Sequence, residues 1–483
     1  MRYNSNMKII KFLAILAGVL FMASCHDDES FSSSPQHRLT FSVDTVKMDT
    51  VFSNVPSSTK SFWVYNRSGK GIRLASVRLK EGNQAGFRVN VDGTYLGQNM
   101  GYQTTGLEIR NKDSVRVFVE VTTAPNRSED ITLVEDKLVF KLESGAEQEV
   151  LLHAHTWDAI NLTNLRVKND TTIAASKPII VYGGIKVDSM ATLRIAAGTQ
   201  LYFHANAGVD VYGRLLIEGT KEKGVLLRGD RLDRMFDYLP YNRVSGLWQG
   251  LHFHSSSYDN KIEYADINNT FDGIVADSSD VAQLKLQLEQ STIHNCQGYG
   301  LIANNSYISL TNVQITNTLN GCLQVNGGKA VINNSTLAQF YPFDGRRGAA
   351  LRLSDADYAF DSFSCSNTLV TGYAGDEVMI TCRDAADPFN YGFTNCVLRA
   401  PKVTTSDSVR FVRVVYENVE DTVAYGKGHF EKIDTENLAY SFRLRKSSGA
   451  IGKADAATAT ANDRKGVARD KQPDVGAYEY KED

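Results

Sequence analysis

The hydrophobic and polar positions between 262 and 398 repeat one short pattern. Two apolar residues alternate with polar residues, and a small polar residue, usually Asn, precedes a turn. The best copies are centred on Ile267, Ile293, Ile315 and Leu337. Successive centres are 26 (267 to 293), 22 (293 to 315) and 22 (315 to 337) residues apart. Steps of this size are typical of a solenoid, in which each repeat is one coil stacked on the previous coil.

Two earlier segments continue this pattern, because Leu193 and Leu215 are also 22 residues apart and each is followed by a Gly-Thr pair (193 to 215). Short strands between tight turns, with inward Ile, Leu and Val, are typical of a right-handed parallel β-helix with strands about 4.8 Å apart. We therefore predict this fold for residues 165–445. The asparagines at the end of the pattern are Asn269, Asn295 and Asn317. We expect their amides to hydrogen-bond to one another in a ladder along the coils.

Residues 39–158 follow a different pattern, in which apolar and polar residues alternate with a period of two. Val115 to Val121 is one example, since every second residue is Val. Such segments indicate half-buried strands, and turn signals such as Asp92-Gly93 separate them. About seven strands in a segment of this length indicate an immunoglobulin-like β-sandwich. The predicted fold class is therefore all-β, with an N-terminal sandwich followed by a parallel β-helix.

Composition and charge narrow the class of protein. The chain of 483 residues is 42% hydrophobic, with 37 Gly and 9 Pro, which is not the composition of a disordered or collagen-like protein. Its 52 basic and 55 acidic residues give a net charge of −3. Nucleic-acid binders usually carry a basic excess or a basic stripe, so we expect no nucleic-acid partner.

The first residues resemble a bacterial export signal. Residues 1–24 begin with a basic leader and contain the apolar run Phe12 to Met22, which is too short to span a bilayer. Small residues stand directly before Cys25, as in the lipobox of bacterial lipoproteins. This resemblance implies cleavage before Cys25 and attachment of lipid to that residue. The alternative is an ordinary signal peptide in which Cys25 has no role.

Residues 25–38 form an acidic, Ser-rich tether. The cluster His26-Asp27-Asp28-Glu29 behind the Cys resembles the signal that sends Bacteroidetes lipoproteins to the outer face of the cell. The resemblance implies a lipid anchor in the outer membrane and a protein that faces the cell exterior. As physical chemistry alone, the tether is a solvated spacer that holds the folded part away from the membrane.

Residues 160–480 resemble the pectate-lyase-like β-helix proteins that Bacteroidetes encode. The end of the chain carries the resemblance best, in Asn462 to Arg469 and Pro473 to Glu479. We expect residues 446–483 to form a linker and a cap that packs across the last coil, because a solenoid must cover its open end. Five cysteines remain after Cys25, an odd number without zinc-site spacing, so we expect core residues and no metal.

An insertion at 229–246 interrupts the repeat with alternating charges and aromatic residues. Loops that project from a rigid scaffold often carry function, and sugar-binding clefts combine aromatic platforms with charged hydrogen-bonding groups. The candidate ligand-binding residues here are Asp230, Arg231, Asp233, Arg234, Tyr238, Tyr241 and Trp248. The alternative is a loop that pairs its own Asp and Arg residues, with Trp248 in the core.

Two further sets have functional residue types. Asp355, Asp357, Arg383 and Asp387 contain the carboxylates and the base of a β-helix lyase, in which carboxylates hold calcium and a base removes a proton. We favour solvated turns, because outward positions of a coil are expected to be charged and no spacing maps onto a known lyase site. His252 and His254 share one face of a strand, with His204 earlier in the chain. Because no carboxylate motif adjoins them, we expect groove residues that could contact a ligand rather than a metal site.

These observations favour a lipid-anchored cell-surface protein that presents a β-helix to glycans or to partner proteins, with no mappable catalytic site and no cofactor. The alternative is a polysaccharide lyase or glycoside hydrolase that acts in a groove beside residues 229–254 or 352–387. Calcium is expected only under the lyase alternative. Fold analogy alone supports enzyme activity, and one fold carries many functions.

Overall fold

The computed structural model describes residues 30–384 and 389–482. The predicted signal segment 1–24, Cys25, the start of the tether and Asp387 lie outside these ranges. The chain divides into two compact units. One contains residues up to Asn126 and Ile131–Trp157, and the other contains Arg127–Asp130 and the residues from Asp158 onward. Within the described ranges, no helix combines the length and apolar character needed to cross a membrane.

The first unit is a β-sandwich. Its strands are β1 (Leu39–Phe41), β2 (Thr45–Phe52), β3 (Lys60–Asn66), β4 (Ile72–Leu79), β5 (Phe87–Val91), β6 (Thr94–Tyr95), β7 (Gln103–Thr104), β8 (Leu107–Ile109), β9 (Ser114–Val121), β10 (Thr132–Leu142) and β11 (Glu147–Trp157). A short 3₁₀ helix spans Gln98–Met100. One sheet has the order β1-β3-β9-β5-β6, and the other has the order β2-β11-β10-β4-β7 with β8 also on β4. In β9 each Val is buried and Arg116 is exposed, as the alternation predicts.

The second unit contains the remaining strands. They are β12 (Ile160–Val167), β13 (Thr171–Ile173), β14 (Ile179–Val187), β15 (Thr192–Ala196), β16 (Gln200–Phe203), β17 (Val209–Val211), β18 (Arg214–Glu218), β19 (Val225–Gly229), β20 (Arg234–Phe236), β21 (Leu239–Pro240), β22 (Leu251–Phe253), β23 (Asn260–Glu263), β24 (Ala265–Asn268), β25 (Ile274–Ala276), β26 (Leu284–Glu289), β27 (Thr292–Cys296), β28 (Tyr299–Thr311), β29 (Gln314–Thr318), β30 (Gly321–Asn333), β31 (Thr336–Gln339), β32 (Leu351–Ser354), β33 (Phe360–Ser366), β34 (Leu369–Gly372), β35 (Val378–Thr381), β36 (Tyr391–Thr394), β37 (Val397–Leu398), β38 (Phe411–Val412), β39 (Val415–Tyr416), β40 (Phe430–Asp434) and β41 (Ala439–Leu444). Short 3₁₀ helices span Tyr241–Arg243, Ser406–Arg410 and Gly426–His429.

These strands form a three-sided parallel β-helix. Each coil contributes a strand to a first face (β15, β18, β23, β26), then to a second face (β16, β19, β24, β27), and then to a third face (β17, β22, β25). The long strands β14, β28 and β30 bend across two faces, because each pairs with two separate strands of a neighbouring coil. Inward Ile, Leu, Val and Phe from all three faces form one continuous core. The structure therefore confirms the predicted all-β class and the parallel β-helix.

The register agrees with most of the predicted repeat. Leu193 pairs with Leu215, and Ile267 is followed in register by Ile293, Ile315 and Leu337. The next step is longer, because Leu337 pairs with Val370, 33 residues later (337 to 370). Residues 340–350 lengthen this coil between β31 and β32, so the spacing in the sequence no longer reports the register.

The prediction that the asparagine amides hydrogen-bond to one another was wrong. Asn269, Asn295 and Asn317 do end the second-face strands, all with positive φ (64°, 55° and 55°). Their amides do not pair with one another, however. Asn269 Nδ2 donates to the carbonyl of Val244 at 2.6 Å, and Asn295 Nδ2 donates to the carbonyl of Asn242 at 3.2 Å. These amides hold the inserted loop against the coils instead.

A second asparagine column lies at the corner between the first and second faces. Asn312, Asn334, Asn367 and Asn395 follow paired strand positions in successive coils, with φ of 53°, 45°, 48° and 53°. One left-handed residue turns the chain sharply there, and Asn adopts that conformation more readily than most residues. We call these four residues the asparagine corner.

The end of the chain lies along this corner rather than across the last coil, where the sequence placed it. Residues 453–479, here called the C-terminal strap, contact every member of the corner in turn. For example, Asn312 Nδ2 donates to the carbonyl of Asn462 at 2.9 Å, and the N–H of Thr460 donates to Asn334 Oδ1 at 2.9 Å. The parallel sheet itself runs from Ile160 to Tyr416, whereas the prediction was 165–445. The antiparallel pair β40–β41 lies between the end of the parallel sheet and residue 445.

Candidate functional site

A column of glycines forms the corner between the second and third faces. Its members are Gly184, Gly208, Gly250, Gly273 and Gly300, each directly before a third-face strand position that pairs with the next coil. A Cβ at Gly250 would lie 1.9 Å from the carbonyl oxygen of Asp272, and one at Gly273 would lie 2.3 Å from that of Gly300. Successive coils approach too closely here for any side chain. The corner is therefore bare backbone.

An open groove of about 590 Å³ lies along this bare corner. Its floor includes Gly184, Gly208 and Gly250. The polar side chains that line it are Asn164, Arg166, Lys186, Asn206, Asp210, Gln249, His252 and Asp272. Lys186, Asp210 and His252 occupy the same position in three successive coils, because Lys186 pairs with Asp210 and Asp210 pairs with His252. The parallel register thus places a row of polar groups along one side of a side-chain-free channel.

Two histidines and two aspartates meet beside this groove. Asp210 Oδ1 lies 2.9 Å from His254 Nε2 and 3.8 Å from His252 Nδ1. Asp277 contacts the other nitrogens, with Oδ1 3.0 Å from His252 Nε2 and Oδ2 3.5 Å from His254 Nδ1. Across the part of the chain that the structure describes, Asp210, His252 and His254 form the group able to hold a metal, with ligand atoms within 4.8 Å of one another. We call the four residues the His–Asp cluster.

Neighbouring groups hold the cluster in place. The ring of Tyr212 stacks on His254 with centroids 3.9 Å apart, and His252 and His254 have centroids 4.0 Å apart. Behind them, the buried Lys285 donates to the carbonyl of His254 at 2.7 Å. Burial lowers the pKa of Lys285 to about 8, because the charged ammonium loses hydration there. Tyr212 therefore packs on the ring of His254, and Lys285 holds the backbone of the same residue.

The inserted loop pairs its own charges. Arg231 contacts Asp233 through two bonds of 2.9 and 2.6 Å, and Asp230 Oδ2 lies 2.6 Å from His204 Nδ1. His204 is thereby engaged with Asp230 and is not part of the His–Asp cluster. Trp248 is fully buried and stacks on Phe203 at 4.0 Å, so it cannot touch a ligand in this arrangement. Asp230, Asp233 and Trp248 therefore have structural contacts. This agrees with the alternative of a loop that uses its own charges, with Trp248 in the core.

Other residues of the loop remain accessible. Tyr238 is 75% exposed and stacks on the exposed Phe236 with centroids 5.6 Å apart. Arg234 donates to the carbonyl of Asp237 at 2.9 Å, and the guanidinium of Arg231 lies over the ring of Tyr241 at 4.4 Å. The exposed aromatic pair is thus the part of the insertion that resembles the predicted platform.

The predicted lyase set does not form an acid–base centre among the described residues. The guanidinium of Arg383 donates a hydrogen bond to the backbone carbonyl of Asp355 at 2.6 Å. The backbone N–H of Arg383 donates to the carboxylate of Asp355. Asp357 is exposed in the turn that follows, and Asp387 lies outside the described residues. These contacts join two turns of neighbouring coils, which is a structural role.

His252 and His254 are candidates from the sequence, whereas Asp210, Asp277, Lys186 and the glycine column are not. One signal was present. The third-face strands open with Gly, an apolar residue, any residue and a second apolar residue, as in Gly208-Val-Asp-Val, Gly250-Leu-His-Phe and Gly273-Ile-Val-Ala. Aligning these copies would have placed Asp210 beside His252.

Comparison with known proteins gives distant likenesses only. No family model matches the chain, and no curated protein matches it. Among solved structures, the chain is similar to pectate lyase Pel9A (11% identity, 67% of this chain and 88% of that chain, TM-score 0.28). It is also similar to the catalytic unit of a GH87 α-1,3-glucanase from Streptomyces thermodiastaticus (11% identity, 74% and 89%, TM-score 0.17). A PapD-like domain of human CEP192 matches at 9% identity over 28% of this chain and 96% of that chain, with a TM-score of 0.17. These TM-scores are low, and the fold is assigned from the strand register given above.

Proposed function

We propose that this protein binds an extended polysaccharide in the groove along the glycine column. The observation that carries the proposal is the bare floor at Gly184, Gly208 and Gly250, bordered by a row of polar side chains. A polymer needs a channel that continues from coil to coil without obstruction. The glycine column provides such a channel, because no side chain projects from that corner.

The chemistry of the lining fits a sugar polymer. Sugar hydroxyls both donate and accept hydrogen bonds, and the amides of Asn164, Asn206 and Gln249 can do the same. Asp210 accepts and Lys186 donates, so both kinds of partner are available along the row. Pockets for small apolar ligands are enclosed and mostly apolar. An open, polar channel favours a long hydrophilic ligand instead.

Binding rather than catalysis is the function that these contacts favour. A lyase or hydrolase of the kind considered from the sequence requires carboxylates that converge with a base in an open groove. Asp355 and Arg383 contact each other through backbone groups, and neither lines the groove. We therefore propose a glycan-binding protein, with enzymatic action on the same polymer as the second candidate.

Replacing both Lys186 and Gln249 with Ala should weaken binding of the recognised polysaccharide by about tenfold or more, since each lost polar contact contributes about 1 kcal/mol or more. Affinity electrophoresis against neutral, uronic-acid and sulfated polysaccharides would identify the class, and titration calorimetry would measure the loss.

The matched control is Lys329→Ala. The ammonium of Lys329 lies over Tyr307 at 4.5 Å, as that of Lys186 lies over Tyr212 at 4.6 Å, but Lys329 is on another face. The proposal is wrong if no polysaccharide binds, or if the control loses as much affinity as the double variant. Release of unsaturated or reducing sugars would establish the enzymatic candidate.

We also propose that lipid on Cys25 anchors the protein to the outer membrane, with the folded part facing the cell exterior. The support is the apolar leader with small residues before Cys25 and the acidic tether behind it. The Cys25→Ser variant should move from the membrane fraction to the soluble fraction, because a single Cys side chain carries the lipid. Cys382→Ser is the control and should stay with the membrane. Retention of the Cys25 variant in the membrane fraction would contradict the anchor, and protease treatment of intact cells tests the outward orientation.

A further inference from the structure

We propose that Asp210, His252 and His254 bind one divalent first-row transition metal ion, such as Zn²⁺, with Asp277 as the carboxylate that orients both imidazoles. The sequence alone favoured no metal here, because the acidic residues are far from the histidines along the chain. The proposal does not depend on glycan binding, since it concerns the ion alone.

The fold brings these four residues together through its register. His252 lies on β22 and His254 directly follows that strand, and the two imidazoles lie on the same side with centroids 4.0 Å apart. Asp210 pairs with His252 in the preceding coil. In the following coil, Ala276 pairs with Phe253, and Asp277 comes directly after Ala276. The N–H of Asp277 donates to the carbonyl of Phe253 at 2.9 Å. Each histidine is thus flanked by a carboxylate from above and from below.

The distances suit coordination on the Asp210 side. Asp210 Oδ1, His254 Nε2 and His252 Nδ1 converge, with 2.9 and 3.8 Å from the oxygen to the two nitrogens. Zinc binds nitrogen and oxygen ligands at about 2.0–2.2 Å, which places the ligand atoms of a tetrahedral site about 3.3 Å apart. The observed spacing straddles this value, so small side-chain rotations bring the three atoms to a common ion.

Asp277 distinguishes this arrangement from two ordinary ion pairs. Its oxygens face the nitrogens that point away from Asp210, at 3.0 Å from His252 Nε2 and 3.5 Å from His254 Nδ1. When these nitrogens donate their protons to Asp277, the lone pairs of His252 Nδ1 and His254 Nε2 are directed toward Asp210. Metal-binding histidines usually donate the second ring nitrogen to a carboxylate in this manner.

The ligand types select the class of ion. Two imidazoles and one carboxylate suit zinc, cobalt, nickel and copper, whereas calcium prefers six to eight oxygen ligands. Three protein ligands leave a fourth position open in a tetrahedral site. The side chains of Asp210 and His252 are 54% and 40% exposed and line the groove, so a water molecule or a group of a ligand in the groove can reach that position.

Titration of the full-length protein in detergent with ZnCl₂, in the absence of any polysaccharide, should show one ion per chain. Co²⁺ in place of Zn²⁺ should give the intense visible absorption of a four-coordinate site. Asp277→Asn should weaken zinc binding by about 10- to 100-fold, as expected for an orienting partner, and His252→Ala or His254→Ala should weaken it further.

The matched control is His204→Ala. The half-exposed His204 pairs with the buried Asp230 at 2.6 Å, and within the described residues it is not in the group that could hold a metal, so its loss should leave zinc affinity unchanged. Circular dichroism checks that each variant is folded, and the Co²⁺ spectrum of the unaltered protein tests the site without any substitution. Failure to bind one zinc ion, a Co²⁺ spectrum of six-coordinate type, or an equal loss in the His204 variant would each overturn the proposal. The double variant at Lys186 and Gln249 separates the two proposals, because it should lose glycan binding and keep zinc binding.

Discussion

Replacing Arg469 with Ala should lower the free energy of unfolding of the β-helix unit by about 3–5 kcal/mol, because the change leaves a buried carboxylate without its partner. The side chains of Arg469 and Glu479 are 2% and 1% exposed and lie 3.1 Å apart. Arg469 also donates to the carbonyl of Gly476 at 2.8 Å and to Asn312 Oδ1 at 3.1 Å. One guanidinium therefore joins the C-terminal end of the strap to Asn312 of the asparagine corner.

Denaturant unfolding followed by circular dichroism measures this effect. Arg194→Ala is the matched control, since Arg194 pairs with Glu218 at 2.6 Å but both side chains are about half exposed. Exposed pairs of this kind contribute about 0–1 kcal/mol, so the control should unfold almost as the unaltered protein does. If Arg469→Ala behaved like Arg194→Ala, the strap would contribute little to the stability of the coils.

Much of the β-helix was predictable because its regular coils have nearly constant length. Ile267, Ile293 and Ile315 are in register as the spacing indicates, since each coil needs one inward residue at that position. The constant spacing ends where a coil is longer, between Leu337 and Val370, because loop length varies without changing the core. The path of the C-terminal strap depends on side-chain contacts with Asn312 and Asn334, and no periodicity reports those contacts.

The candidate site was less predictable for the same reason. Asp277 follows His252 by 25 residues (252 to 277), but Asp210 precedes it by 42 (210 to 252), because the inserted loop lies between them. Pairs of residues at coil spacing suggest contact only when the coil has a standard length. The glycine column could be predicted from the sequence, since a Gly stands before each of these third-face strands. The bare groove floor could not be predicted, because it depends on the distance between neighbouring coils.

Replacing Trp248 with Ala should lower the free energy of unfolding of the β-helix unit by about 3–5 kcal/mol, the usual cost of removing a buried Trp side chain. Trp248 is fully buried, and its ring is nearly parallel to that of Phe203, with 7° between planes and 4.0 Å between centroids. Its Nε1 donates to the carbonyl of Asn268 at 2.8 Å. The residue closes the inserted loop onto the second face, so its loss removes packing in the core together with the hydrogen bond to Asn268.

Two further variants separate a core role from a ligand-binding role. Trp248→Phe keeps an aromatic ring against Phe203 but removes the donor to Asn268, so its loss should be smaller than that of the Ala variant. Tyr238→Ala removes an exposed aromatic residue of the same insertion and should change stability by no more than about 0.5 kcal/mol. If Trp248→Ala were as stable as Tyr238→Ala, Trp248 would not be a core residue, and its candidacy as a sugar platform would return. If Tyr238→Ala weakened polysaccharide binding at unchanged stability, the exposed aromatic pair would extend the binding surface beyond the groove, because a stacking platform acts through its accessible face.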